Sequence, residues 1–375
     1  MSHTSNDDTV VLPTTRPVLA YDGKISELYG IFLLNLLLTI VTLGIYRFWA
    51  ITRIRRYLWS HMRFQGTRFT YTGRGGELFV GFLLAMLLLA ALVAVTAGLA
   101  YLAHQVHPAL VAVPIVAAYI LAFILFGAAL YSAQRYRLSR TEWRGLRGGM
   151  SGSALRYGVA VLLYTLGTIF TLYQLVPWMQ VGLARRRINA SQFGSARFRF
   201  EGRGGALWPS WIATLLGNVA LLAAVGAICG ALAWPILQPV ILEQTTGPEA
   251  QVAMLRVLPI AVIGLLVFGL LAGLLSLWYF ARLARMIMGG TSLDTLRFRS
   301  TVTARGLLWL GVSNTFLALI TLGFGLPIVL HRIARFIARN TLVTGQLRPE
   351  TLAQNGLASP RTGEGLLQAF DPGIV

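Results

Sequence analysis

One polar motif recurs along this chain, and most copies lead directly into a long apolar stretch. It combines aromatic residues, a glycine, a base and a turn, and it occupies residues 21–29, 71–79 and 197–208, with weaker copies at 143–153 and 297–299. Repetition in one register predicts a supersecondary unit used several times. We therefore expect one repeat-built membrane domain over residues 21–345. Its units are 21–62, 63–137, 138–190, 191–288 and 289–340, between a polar N-terminal tail (1–20) and a disordered C-terminal tail (346–375).

The composition is that of a membrane protein. Hydrophobic residues make up 56% of the chain and charged residues 12%, whereas soluble proteins average about 25% charged residues. The net charge of +19 first suggests a nucleic-acid partner. However, Lys and Arg fall almost entirely in short connections between apolar runs, which is the pattern of cytoplasmic loops. We therefore expect no nucleic-acid binding.

Four apolar runs reach the roughly 20 residues that a membrane-spanning helix needs. They occupy residues 78–101, 109–130, 207–234 and 258–280. They form two pairs, and each pair is joined by a connection poor in Lys and Arg. The sequence predicts two pairs of long transmembrane helices.

Three shorter apolar regions, 28–59, 155–187 and 307–339, each contain a Thr-Leu turn signal and end in Arg-rich sequence. If each region turns back, every Arg-rich loop lies on one face of the membrane, as the positive-inside rule requires. We therefore expect three short hairpins, with both termini in the cytoplasm. Their arms could span the membrane fully or be re-entrant.

These elements predict an all-α polytopic membrane protein of about ten helices, in which short hairpins alternate with long helix pairs. Polar and aromatic residues alternate at 68–71 and 197–200, which favours short cytoplasmic β-strands between the units. Gly23, Gly73, Gly152 and Gly202 form the structural motif that follows. We expect positive φ at Gly73 and Gly202, since glycine tolerates that conformation.

The run Thr42-Leu43-Gly44-Ile45-Tyr46-Arg47-Phe48-Trp49, the Arg-Phe-x-x-x-Gly-x-Gly-Gly motifs and Thr141-Glu142-Trp143-Arg144-Gly145 resemble the YjgN-like family of bacterial inner-membrane proteins. The resemblance covers about residues 20–345 and implies a multipass location in the bacterial plasma membrane. It brings no established activity. The chain departs from the pattern at Tyr173, in the turn, and at Val302 and Ala304, where other copies have glycine.

The apolar spans contain no Asp or Glu, which argues against a proton-coupled carrier and a two-carboxylate hydrolase. His104 and His107 lack a nearby third metal ligand. We therefore expect no enzyme, no cofactor and no metal site.

Two sets of residues are functional candidates. Asn35, Tyr164 and Asn314 are candidates for interhelical contacts or for the polar lining of a solute path. Arg53, Arg56, Arg185, Arg332 and Arg335 are candidates for contacts with anionic lipid headgroups. Two functions stay open: a permease or channel for a small anionic or lipid-like solute, and a non-catalytic membrane scaffold or lipid-binding protein. The sequence leaves the oligomeric state open.

Overall fold

A computed structural model describes residues 18–242, 247–345, 352–354 and 356–357. Helices and strands alternate in a regular order within this part of the chain: two helices are followed by a β-hairpin, and the next two helices follow that hairpin. The helices are α1 (Ile25–Val41), α2 (Arg47–Ser60), α3 (Gly75–Val106), α4 (Ala112–Ser139), α5 (Ala154–Phe170), α6 (Val176–Ala190), α7 (Trp208–Leu242), α8 (Pro248–Gly289), α9 (Ala304–Ile320) and α10 (Leu326–Asn340).

Four of these helices are long and apolar enough to cross a membrane: α3, α7, α8, and α4 together with the short 3-10 turn before it. Three of the four predicted spans fall inside them, and the fourth, 207–234, begins one residue before α7. The apolar helices of the short hairpins, α1, α5 and α9, each contain 17 residues. Each is followed by a shorter helix that ends in basic sequence.

The three short regions turn back on themselves, as the basic loops predict. In the first, the Lys24 amide donates a 2.7 Å hydrogen bond to the Tyr57 hydroxyl, so the start of α1 lies beside the end of α2. The turns share one device. The hydroxyls of Thr42, Thr171 and Thr321 donate to the carbonyl four residues earlier and accept from the amide four residues later.

The two residues after each threonine have positive φ. In two of the turns the second residue after the threonine is glycine: Gly44, with a φ of 92°, and Gly323, with a φ of 89°. Tyr173 takes this place in the middle turn, with a φ of 65°. The middle turn therefore has the same geometry although Tyr173 replaces the glycine. A residue with a side chain is strained at positive φ.

The described strands form one antiparallel sheet whose spatial order follows the chain. They are β1 (Leu19–Tyr21), β2 (Met62–Phe64), β3 (Thr67–Tyr71), β4 (Thr141–Trp143), β5 (Leu146–Met150), β6 (Ser191–Phe193), β7 (Ala196–Phe200), β8 (Thr291–Leu293), β9 (Leu296–Ser300) and β10 (Thr341–Thr344). Because β1 and β10 also touch, the sheet is a nearly closed barrel. The adjoining helices close in the same way, since Leu28 and Tyr57 pack against Leu330 and Ala334.

The expectation of an all-α protein is therefore wrong. The strands predicted at 68–71 and 197–200 exist, but each also pairs with strands on both sides. β2, β4, β6 and β8 were missed because each has three residues and directly follows a helix, too short to show an alternating pattern. Their hairpins turn on two residues, such as Gln65-Gly66 and Arg144-Gly145, both with positive φ.

Five cross-strand pairs surround the inside of the barrel, which we call the lumen. The pairs are Leu19–Phe64, Phe69–Trp143, Gly148–Phe193, Phe198–Leu293 and Phe298–Val343. Most of these residues belong to one apolar cluster that also includes Leu146, Ala196 and Leu296. The largest apolar cluster thus lies inside the barrel, at the Arg-rich ends of the helices.

Short described segments of both predicted tails contact the barrel. Leu19 and Ala20, assigned to the N-terminal tail, belong to β1. Near the other end, Leu352 packs against the lumen cluster, and the Ala353 amide donates to the Ser195 hydroxyl at 3.2 Å. The Arg147 amide donates to Gln354 Oε1 at 3.0 Å. The remainder of the predicted disordered tail lies outside the described residues.

Candidate functional site

Asn35 joins the two helices of its own hairpin. Its side chain is buried, its amide donates to the Ala50 carbonyl at 3.4 Å, and its oxygen accepts from Arg53 Nη1 at 3.4 Å. Arg53, predicted to contact headgroups, is therefore also part of an interhelical contact. Such contacts satisfy polar groups that would be costly in hydrocarbon.

The other two hairpins differ at these positions, and Oδ1 of the buried Asn314 has no hydrogen-bond partner among the described residues. Arg332, at the position of Arg53, donates to the Ser313 hydroxyl at 2.8 Å, beside the buried Asn314. In the middle hairpin Gly182 takes the arginine position, and a methyl group there would lie 2.4 Å from the Tyr164 hydroxyl. The large Tyr164 thus fills the space that the missing arginine leaves.

Arg56 and Arg185 bind backbone rather than pointing only to solvent. Arg56 Nη2 donates to the Gly73 carbonyl at 3.3 Å, and Arg185 Nη2 donates to the Gly202 carbonyl at 2.6 Å. In both cases the acceptor lies 17 residues after the arginine, just before the next long helix pair begins. Arg335 is exposed.

The two long helix pairs carry the same contact, which the sequence did not reveal. Arg135 donates to the Gly152 carbonyl and Arg285 to the Val302 carbonyl, again 17 residues later. Val302 keeps the contact although the motif glycine is lost. These arginines could have been found from their intervals, because positions 135, 185, 285 and 335 differ by 50 or 100 residues.

The motif glycines are required for a different reason from the one predicted. Neither Gly73 nor Gly202 has positive φ, so that expectation is wrong; Gly152 does, at 92°. Instead, an aromatic ring two residues earlier folds over the glycine. A methyl group on Gly73 would lie 2.6 Å from the Tyr71 ring, and one on Gly202 would lie 2.3 Å from the Phe200 ring. Gly23 is covered by Tyr21 in the same way.

A basic groove of about 480 Å³ lies between α2 and the first turn of α3. Arg53, Arg56 and Arg74 line it together with Tyr46 and Trp49. We call it the α2–α3 groove. Its shape depends on Gly75, since a methyl group there would lie 2.7 Å from the Trp49 Cα atom. Gly204 meets Trp178 of the middle hairpin in the same way, since a methyl group on Gly204 would lie 2.8 Å from the Trp178 Cα atom.

The electrostatics of the α2–α3 groove favour an anion. α3 begins at Gly75 with no side-chain cap, and its first residues, Gly75 and Gly76, line the groove. The Glu77 amide donates to the Arg74 carbonyl at 3.2 Å. The backbone amides at a helix start attract negative charge. Glu77 also lines the groove, but its carboxylate accepts from the Tyr136 hydroxyl at 2.6 Å and from Arg140 at 2.9 Å. Its negative charge is therefore compensated within the protein.

Comparison with known proteins identifies the family. The family described as "Bacterial protein of unknown function (DUF898)" matches residues 16–369. The chain belongs to the DUF898 family. The resemblance seen in the sequence motifs is thereby confirmed.

Relatives of the chain carry an inner-membrane name. The chain is 26% identical over 371 residues to "Inner membrane protein YjgN" of Salmonella typhimurium, covering 88% of this chain and 89% of that protein. It is also 43% identical over 60 residues to the protein of the same name in Escherichia coli, covering 16% and 15%. No solved structure matches the chain. These names and the four apolar helices of this DUF898 member fit an integral protein of the bacterial inner membrane.

Proposed function

We propose that this DUF898 protein is a non-catalytic inner-membrane protein that binds anionic lipid headgroups at the Arg-rich ends of its helices. The α2–α3 groove is the observation that supports this most strongly. Three guanidinium groups and an uncapped helix start meet there beside Trp49. Arginine suits phosphate because its donors form a planar fork. Tryptophan suits the same depth because it is enriched at membrane–water interfaces.

The proposal also includes the orientation of the protein. All Arg-rich connections adjoin the barrel, because the strands occupy those connections. The positive-inside rule then places the barrel and both termini in the cytoplasm. The inner leaflet is rich in anionic lipid, and it would meet the α2–α3 groove directly.

A permease or channel is less well supported. That function would use Asn35, Tyr164 and Asn314 as the lining of a path. Asn35 instead bonds to the second helix of its own hairpin, and Tyr164 fills the space beside Gly182. These contacts support a structural role, so we favour lipid binding over transport.

Native mass spectrometry of the purified protein tests headgroup binding. We would titrate phosphatidylglycerol and, separately, phosphatidylcholine of the same chain length. The Arg53→Gln/Arg74→Gln double variant removes two cations from the groove. Each is worth about 1 kcal/mol near an anionic surface, so we expect about thirtyfold weaker binding of phosphatidylglycerol.

The matched control is Arg256→Gln, which removes a cation near the start of α8, at the far ends of the long helices. It should leave phosphatidylglycerol binding at the barrel end unchanged. Equal affinity of the parent for both lipids would contradict the proposal. Equal retention of phosphatidylglycerol by the parent and the double variant would contradict the assignment to this groove.

A further inference from the structure

The lumen of the barrel contains a cavity of about 300 Å³ that is separate from the α2–α3 groove. Its walls are almost entirely apolar side chains and come from all the described strands except β5; among them are Phe64, Phe69, Trp143, Phe198 and Val343. The indole nitrogen of Trp143 does not make the wall polar, because it donates to the Phe64 carbonyl at 3.2 Å. A space of this volume is in the range of small-molecule sites.

An apolar cavity this large calls for an occupant. Water gains little there, since it needs two or more polar partners, and apolar cavities stay dry while accepting apolar guests. Left empty, the cavity would deprive the surrounding side chains of their contacts. The chemistry of the wall therefore selects hydrocarbon.

The two ends of the lumen differ. At the end formed by the β-hairpin turns, Leu352 packs on the lumen cluster, and its neighbours are held by Ser195 and Arg147. At the other end Met288 and Ile337, from the last turns of α8 and α10, line the cavity together with Thr341. Methionine is flexible and easily displaced. Access is therefore easiest from the side of the apolar helices.

We propose that the lumen binds one hydrocarbon chain, which enters past Met288 and Ile337 from the membrane side. The chain could belong to a phospholipid or to a free fatty acid, since both present the same methylene groups. This site is independent of headgroup binding in the α2–α3 groove. Either of the two proposals can fail while the other stands.

Quenching of Trp143 tests occupancy in the full-length protein. Bromine quenches tryptophan only on contact, and the buried Trp143 lines the lumen cavity. We would use stearic acid brominated at mid-chain and, separately, vesicles of phosphatidylcholine with the same brominated chains. Subtracting the quenching of Trp143→Phe from that of the parent isolates the Trp143 signal. Quenching by the acid alone identifies a fatty acid, and quenching by the vesicles identifies a lipid chain. Quenching by neither overturns the proposal.

A pair of neighbouring substitutions tests the location. Val343→Phe adds bulk inside the lumen, where Phe64 and Phe193 already occupy the equivalent positions of other hairpins. Leu342→Phe adds the same kind of ring on the outer face, where Leu342 is 47% exposed. We expect Val343→Phe to bind the brominated acid about tenfold more weakly, as for about two displaced methylenes. Leu342→Phe should bind like the parent.

Equal binding by Val343→Phe and the parent would overturn the lumen as the site. If Val343→Phe does not fold, the Trp143 measurement on the parent still decides the matter. Arg53→Gln/Arg74→Gln should keep the Trp143 quenching, because neither arginine lines the lumen cavity. A loss of quenching in that variant would show that the chain depends on the headgroup site and would overturn the independence of the two.

Discussion

The Arg185 guanidinium donates a 2.6 Å hydrogen bond to the carbonyl oxygen of Gly202, 17 residues further along the chain. This hydrogen bond ties the end of α6 to the segment that leads into α7. The β-hairpin of β6 and β7 lies between them in the sequence. The same link at Arg56, Arg135 and Arg285 joins successive units. Arginines that the sequence assigned to headgroups therefore also hold the barrel to its helices.

We expect Arg185→Met to lower the free energy of unfolding by about 1 kcal/mol, since it removes one charge-assisted hydrogen bond at a partly exposed site. Thermal unfolding in detergent micelles measures the change. Arg156→Met, at an exposed position, is the control for loss of charge. Equal destabilisation by both substitutions would show that the Gly202 link contributes nothing.

We expect Gly202→Ala to destabilise the protein by about 1–3 kcal/mol, because the methyl group overlaps the Phe200 ring. Gly205→Ala is the matched control, since the nearest atom to its methyl group is 3.9 Å away. Adding Phe200→Leu to Gly202→Ala should recover part of the loss. Failure of this rescue, measured by thermal unfolding, would rule out ring overlap as the cause.

Replacing Tyr173 by glycine is expected to stabilise the middle turn by about 1 kcal/mol, because it relieves a side chain held at positive φ. The hydrogen bond from Trp211 Nε1 to the Tyr173 carbonyl uses only backbone and should persist. Gly323→Ala, in the matching turn, should have the opposite effect. A melting temperature of Tyr173→Gly at or below that of the parent would contradict this account.

Burial, helped by the nearby Tyr57, Asp22 and Glu27, raises the pKa of Tyr21 above its usual value of 10.0. A raised pKa in the folded state means that its contribution to stability is complete below about pH 10 and is lost as the pH rises further. Tyr21→Phe should therefore lose less stability than the parent between pH 9 and pH 11. Denaturant unfolding at both pH values measures this, and identical losses would show that Tyr21 does not titrate in this way.

Cysteine labelling tests the orientation. In a Cys229→Ala background, Val106→Cys, at the end of α3, should react with an impermeant maleimide added outside the cell. Arg199→Cys, on the exposed side of β7, should react only after the membrane is opened. Labelling of Arg199→Cys from outside would reverse the proposed sidedness.

The helical part of the fold could be predicted because its signals are local. Apolar length identifies α3, α4, α7 and α8, and the Thr-Leu turns with their flanking arginines identify the short hairpins. The barrel could not be predicted in the same way. A three-residue strand such as β6 has too little pattern to recognise, and the contact of β1 with β10 joins opposite ends of the sequence.

The candidate site was predicted in part for a similar reason. Arg53 and Arg56 were identified from their register and do line the α2–α3 groove, but Arg74, on the far side of a β-hairpin, was not. The sequence does contain a pattern that marks the wall of the lumen. Trp143, Phe193, Leu293 and Val343 recur at intervals of 50 or 100 residues.

The meeting of β1 and β10 has a consequence for synthesis on the ribosome. β10 is made after every other described strand, so the growing chain carries an incomplete barrel until residues 341–344 have been synthesised. A product that stops before residue 341 would expose the outer edges of β1 and β9, and open strand edges invite pairing with other chains. Premature termination should therefore yield fragments that aggregate or are degraded, even when most of their helices have already been inserted.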